Sequence, residues 1–96
     1  HLGRVGCQLD ATQAPVGCSS PNRPEVLLTD FDPAQDVIVA DLAALMSQTN
    51  LAENQEDTAL GCMSSPMDSD CAGIMQNLGL PFNDQPVQAQ TFFRVK

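Results

Sequence analysis

The chain has no tryptophan, no tyrosine and a single histidine, His1. Aromatic residues make up 4% of it, all phenylalanine: Phe31, Phe82, Phe92 and Phe93. A core with so few large rings is small, which points to disulfide support or to sequence beyond these residues. One histidine cannot supply a complete metal site, and it leaves no spare base for Ser–His or Cys–His catalysis. Basic residues are scarce as well. Four Lys and Arg stand against twelve acids, for a net charge of −8. That balance argues against nucleic acid or an anionic membrane as partner, because both require a basic footprint. No apolar run approaches the ~20 residues that a membrane-spanning helix needs, so membrane insertion is not expected. No secretory leader opens the sequence, so export rests on the cysteines alone.

What is present begins with four cysteines, Cys7, Cys18, Cys62 and Cys71. No CxxC pair occurs, and structural zinc usually draws its cysteines from such tight pairs. An even count in a short acidic chain reads instead as two disulfides in an oxidising compartment. Three pairings are open. The sequential one, Cys7–Cys18 and Cys62–Cys71, closes two local loops, each contributing roughly 3 kcal/mol in the chain-entropy model.

The segment from Gly61 to Phe82 is the best-marked part of the chain. A cysteine loop leads into a helix that starts at Ser69 or Asp70 and turns Ile74, Met75 and Leu78 inward. Its stop is written in sequence: Gly79 at the left-handed C′ position, Leu80 as the apolar residue after it, and Pro81 to forbid continuation. Upstream, residues 1–24 read mostly as loop, with a strand end near Val5. Residues 25–31 read as a strand. Asp36 to Ala40 reads as a strand of buried type, and Asp41 caps a short helix containing Leu42, Leu45 and Met46. Residues 50–58 are a polar connection, and Gln90 to Lys96 is a terminal strand with Phe93 and Val95 on one face. The expected class is mainly β and sandwich-like, with two short helices and long ordered loops. The 96 residues form one domain at most.

Several residues carry candidate chemistry. The His1 imidazole is a good nitrogen donor for copper, alone or chelating together with its own amine. The thioethers of Met63 and Met67 could hold Cu(I), but packing is the expected role for both, as it is for Met46 and Met75. Asp30, Asp32, Asp68 and Asp70 are alternating carboxylates of the kind that suits calcium, although neither run has the EF-hand pattern and turns and caps account for most of them.

The ordered segments go further. His1-Leu2-Gly3 before Gly6-Cys7, Pro21-Asn22-Arg23-Pro24 after Cys18, Phe31-Asp32-Pro33, Val39-Ala40-Asp41-Leu42, Asn54-Gln55, Gly61-Cys62-Met63-Ser64, Asp70-Cys71 and Gln90-Thr91-Phe92-Phe93-Arg94-Val95 together resemble the MbnP/MopE/CorA family. These are exported copper-binding proteins of methanotrophs and other bacteria. The resemblance implies an extracytoplasmic β-rich protein (periplasmic, surface-bound or secreted) with two disulfides, and a larger β-rich domain of which this chain is the C-terminal portion. It also implies a mononuclear copper site of histidines and an oxidised tryptophan, and a di-haem peroxidase-like partner that performs the oxidation. His1 matches the family's HLG histidine and is the expected copper ligand. With no tryptophan and one histidine, the other ligands are expected upstream of His1. The resulting expectation is a non-enzymatic protein of copper capture or handling, with calcium as a further candidate ion. The alternatives are a disulfide-stapled structural or interaction module without metal function, and a copper redox enzyme.

Overall fold

The computed structural model describes residues 1–96. The first cysteine loop is a hairpin. Strands β1 (Val5–Leu9) and β2 (Pro15–Ser20) pair antiparallel with Cys7 opposite Cys18, and the disulfide joins them across the ladder. The turn is closed by Asp10, whose Oδ1 accepts hydrogen bonds from the Thr12 amide, the Thr12 hydroxyl and the Ala14 amide. The reading of residues 1–24 as mostly loop is therefore corrected. The Gly, Pro and Cys density looks like loop, but an Asx-type turn and a cross-strand disulfide hold an ordered ribbon.

A second ribbon joins the middle of the chain to its end. Strand β3 (Ile38–Ala40) pairs antiparallel with β4 (Phe93–Val95), in the register Ile38↔Val95, Val39↔Arg94 and Ala40↔Phe93. The ladder continues on both sides: the Val37 amide donates to the Lys96 carbonyl at 2.9 Å, and the Asp41 amide to the Phe92 carbonyl at 2.7 Å. The two ribbons do not pack on one another. The run through β3 is less buried than its composition suggests, for Val37 is 58% and Ile38 54% exposed. Within these residues nothing covers that face. Residues 25–31 form no strand either: Leu27 is exposed, and a left-handed Asp30 (φ 59°) breaks the run before any partner strand.

Between β3 and β4 in sequence lie the two helices. Helix α1 (Leu42–Met46) is capped as the sequence indicates, the Asp41 carboxylate accepting from the Ala44 amide at 3.0 Å. A 3-10 turn (Ser69–Cys71) leads into α2 (Ala72–Asn77). The helical stretch starts at Ser69, as the sequence indicates, and its cap is Asp68, whose carboxylate accepts from the Asp70 amide. The stop signal is realised in full. Gly79 has φ +71°, its amide donates to Gln76 O at 2.9 Å, and the Leu80 amide donates to Met75 O at 2.8 Å. Those two bonds are the Schellman pair, and Leu80 buries its side chain in the same cluster as Met75.

That cluster is the core: Leu45, Cys62, Cys71, Met75, Leu78, Leu80 and Phe82, with Met46, Ala72, Ile74 and Phe92 packed around it. Phe82 is its only buried ring, as the scarcity of aromatics implies. The elements are strands, two short helices and two disulfides, Cys7–Cys18 and Cys62–Cys71, in a β-rich chain.

Candidate metal-ligand site at His1

The second cysteine loop is built as a rigid frame. Cys62 and Cys71 are bonded and both buried. The Asp68 carboxylate, 2% exposed, accepts from the Met63 amide at 2.9 Å through one oxygen and from the Asp70 amide at 3.1 Å through the other. Asn54 and Gln55 clasp the frame from outside. Asn54 Oδ1 accepts from the Gly61 amide at 2.7 Å, Gln55 Nε2 donates to Met67 O at 2.9 Å, and Gln55 Oε1 accepts from the Ser69 amide at 2.6 Å. The Gln55 amide in turn donates to Asp70 Oδ2 at 2.9 Å.

His1 is fastened to this frame from more than sixty positions away. Its backbone nitrogen donates to Cys62 O at 2.8 Å. Its carbonyl accepts from the Ser64 hydroxyl, and the same hydroxyl oxygen accepts from the Gly3 amide at 2.6 Å. Asn22 Nδ2 completes the arrangement by donating to Gly3 O at 2.7 Å. Ser64 is 3% exposed. The His1 side chain is exposed and folds back over Gly3, so that a β-carbon on Gly3 would lie 2.6 Å from Nε2. The ring stands beside a half-apolar cavity of about 500 Å³, lined in part by Leu2, Met46, Leu51, Leu60 and Ile74.

Chemically, this presents one imidazole on a fixed backbone. No three His, Cys, Asp or Glu side chains converge anywhere in the chain. The acids considered for calcium have other partners. Asp68 and Asp70 serve the frame just described, and Asp32 Oδ1 accepts from the Ala34 amide at 2.9 Å in the turn before β3. Asp30 makes the left-handed turn. Of the methionines, Met75 is in the core and Met46 packs against it. Met63 and Met67 are 43% and 84% exposed, which corrects their expected role in packing: the loop is held by its hydrogen bonds and disulfide, so its side chains are free to point outward. Two carboxylates are shifted, both far from His1 in sequence. The Thr12 hydroxyl and the Ala14 and Thr12 amides hold the Asp10 carboxyl below its ordinary range. The Ala44 amide, with help from Arg94, does the same for Asp41.

Sequence reasoning found His1 and the cysteines but gave Gly3 and Ser64 no role. Their pairing depends on a contact across 61 positions, and only their presence in the HLG and GCMS segments marked them.

No protein-family model matches the chain, and no curated protein does. A solved structure that is similar is that of MbnP from Methylosinus trichosporium, at 26% sequence identity and a TM-score of 0.83. The match covers 99% of this chain and 37% of that one, so the chain spans little more than a third of that protein's length.

Proposed function

We propose, from the sequence resemblance and the structural similarity to MbnP, that the chain is an MbnP-like, extracytoplasmic, non-enzymatic protein of copper capture or handling, with the His1 imidazole as one copper ligand. The observation that carries this reading is the fastening of the HLG segment. The chain's only imidazole sits on a backbone bonded at both its nitrogen and its carbonyl to a disulfide-held turn. A ligand presented in this way loses little freedom when it binds a metal. Imidazole suits copper, and the neutral ring is the form that binds.

The donor set fits one ligand of a mononuclear site and not a whole site, since no further His, Cys or carboxylate joins His1 in a group of three. The remaining ligands are assigned to sequence outside these 96 residues. The uncovered apolar residues Val37, Ile38 and Leu42 support the companion reading that the chain is the C-terminal portion of a larger β-rich domain. The two disulfides support an oxidising, extracytoplasmic location. No helix is long and apolar enough to cross a membrane. A di-haem peroxidase-like partner belongs to the proposal on the ground of the sequence resemblance only. Nothing observed supports calcium at Asp30, Asp32, Asp68 or Asp70, and the proposal is confined to copper.

The test is a calorimetric copper titration of the full chain and its His1→Ala variant. We expect the variant to lose most of the tight binding; an unchanged affinity would overturn the assignment. The absence of a convergent metal cluster favours a second reading, a disulfide-stapled interaction module. Copper EPR with and without reductant and oxygen separates the readings. No bound copper means the module, copper without turnover means the carrier, and turnover means a redox enzyme.

A further inference from the structure

We propose that Ser64 and Gly3 are positioning residues for the His1 imidazole: the Ser64 hydroxyl clamps the HLG backbone, and the bare α-carbon of Gly3 provides the floor on which the ring rests. The inference rests on the copper reading for its purpose but not for its geometry.

Ser64 has φ +67°, a left-handed conformation that costs a side chain and that glycine adopts freely. The backbone of this turn therefore gives no reason for serine. Its hydroxyl does. It is buried, and both its donor and its acceptor capacities are spent on the HLG segment: it donates to His1 O and accepts from the Gly3 amide at 2.6 Å. Water has little access to replace it. The turn is fixed in its own right by the Cys62–Cys71 bond and by Asp68, which receives the Met63 amide. A strained, fully engaged serine on a rigid turn is thus the element that transmits that rigidity to the first three residues.

Gly3 acts on the other side of the ring. A β-carbon there would meet His1 Nε2 at 2.6 Å and the adjacent ring carbons at 3.4 Å. The ring can keep its place only if residue 3 has no side chain. Any larger residue drives the imidazole off this surface, and a ligating nitrogen moves with it. The two residues together fix where Nε2 stands before any metal arrives.

The experiment uses the metal-free full chain with labelled histidine. The His1 ring resonances are identified by their loss in His1→Ala and followed in Ser64→Gly and Gly3→Ala. Ser64→Gly removes the clamp while relieving the backbone strain, so it tests the hydroxyl without endangering the turn. Gly3→Ala leaves the clamp and displaces the ring. We expect the His1 ring shifts to move toward those of a free histidine in Ser64→Gly and to move also in Gly3→Ala. Cu(II) binding, measured by titration and EPR hyperfine splitting, should weaken about tenfold in each. Ring shifts unmoved in both variants would overturn the proposal whatever happens to copper. Moved ring shifts with a copper affinity that His1→Ala does not alter would uphold the clamp and sink the copper reading instead.

Discussion

Gly73 of α2 and Gln48 beyond α1 meet backbone to backbone: a β-carbon on Gly73 would lie 2.5 Å from the Gln48 carbonyl oxygen and 2.8 Å from its carbonyl carbon. Helix propensity favours alanine over glycine by about 1 kcal/mol. Overpacking against main chain, which cannot rotate away, costs roughly 1–3 kcal/mol. The main-chain clash outweighs the propensity gain, so Gly73→Ala should destabilise the protein, by up to about 2 kcal/mol. A guanidinium unfolding midpoint that rises in the variant would show that α1 and α2 can separate freely.

Asn77 ties the same two helices together. It is 2% exposed; its Nδ2 donates to Leu45 O at 2.9 Å and its Oδ1 accepts from Gln48 Nε2 at 3.0 Å. Its own carbonyl accepts from the Thr91 amide at 2.8 Å, which brings the segment before β4 against α2. Asn77→Leu keeps the branched heavy-atom shape but deprives the Leu45 carbonyl of its side-chain donor, at a cost of about 1–3 kcal/mol. Asn77→Asp should be worse, since it replaces that donor with a buried charge. Thermal melts that rank the aspartate variant above the leucine variant would contradict this account.

What could be read from the sequence was local. The α2 stop depends on Gly79 and Leu80 within one turn of Met75, and the α1 cap depends on Asp41 three residues before Ala44. Both appeared where expected because their partners are near in sequence. The hairpin was hidden because Gly6, Pro15 and Gly17 carry a loop composition, while the feature that orders it, Cys7 opposite Cys18, is a cross-strand relationship. The exposure of Val37 and Ile38 could not be read from their apolarity, because burial depends on what lies opposite. The same limit applied to the site. His1 was visible as the only imidazole, but the bonds that hold it reach Cys62 and Ser64, and spacing does not show contacts of that range.

Acid should weaken α1 in a way that identifies Asp41. Its carboxyl titrates below the usual 3.8, chiefly because the ionised form accepts from the Ala44 amide; burial opposes this, and Arg94, 3.4 Å away, adds to the lowering. A carboxyl with a lowered folded-state pKa stabilises the fold fully above its unfolded value, and that contribution is lost as pH falls through the folded value. The window is therefore below about pH 4. Asn also caps helices but does not titrate. Between about pH 5 and pH 3, the melting temperature of the wild type should fall more steeply than that of Asp41→Asn. Asp10 titrates in the same direction and steepens both curves alike, so parallel curves would mean that the cap contributes nothing through its charge.

The two disulfides should differ in worth although their loops do not. The sequence separations are 11 and 9, so the chain-entropy model assigns both about 3 kcal/mol. Burial separates them. Cys7 and Cys18 are half-buried on a hairpin whose turn is also held by Asp10. Cys62 and Cys71 are 5% and 0% exposed, sit in the core cluster, and carry the turn on which Ser64 and His1 depend. Replacing the second pair with alanine adds a core cavity to the lost cross-link, for a total of roughly 4–5 kcal/mol, comparable to the whole stability of a small domain. The Cys7→Ala, Cys18→Ala protein should therefore show a lowered but cooperative unfolding transition, and the Cys62→Ala, Cys71→Ala protein little or none. Equal losses in denaturant titrations would mean that loop closure alone accounts for both bonds and that the frame around His1 holds without its cross-link.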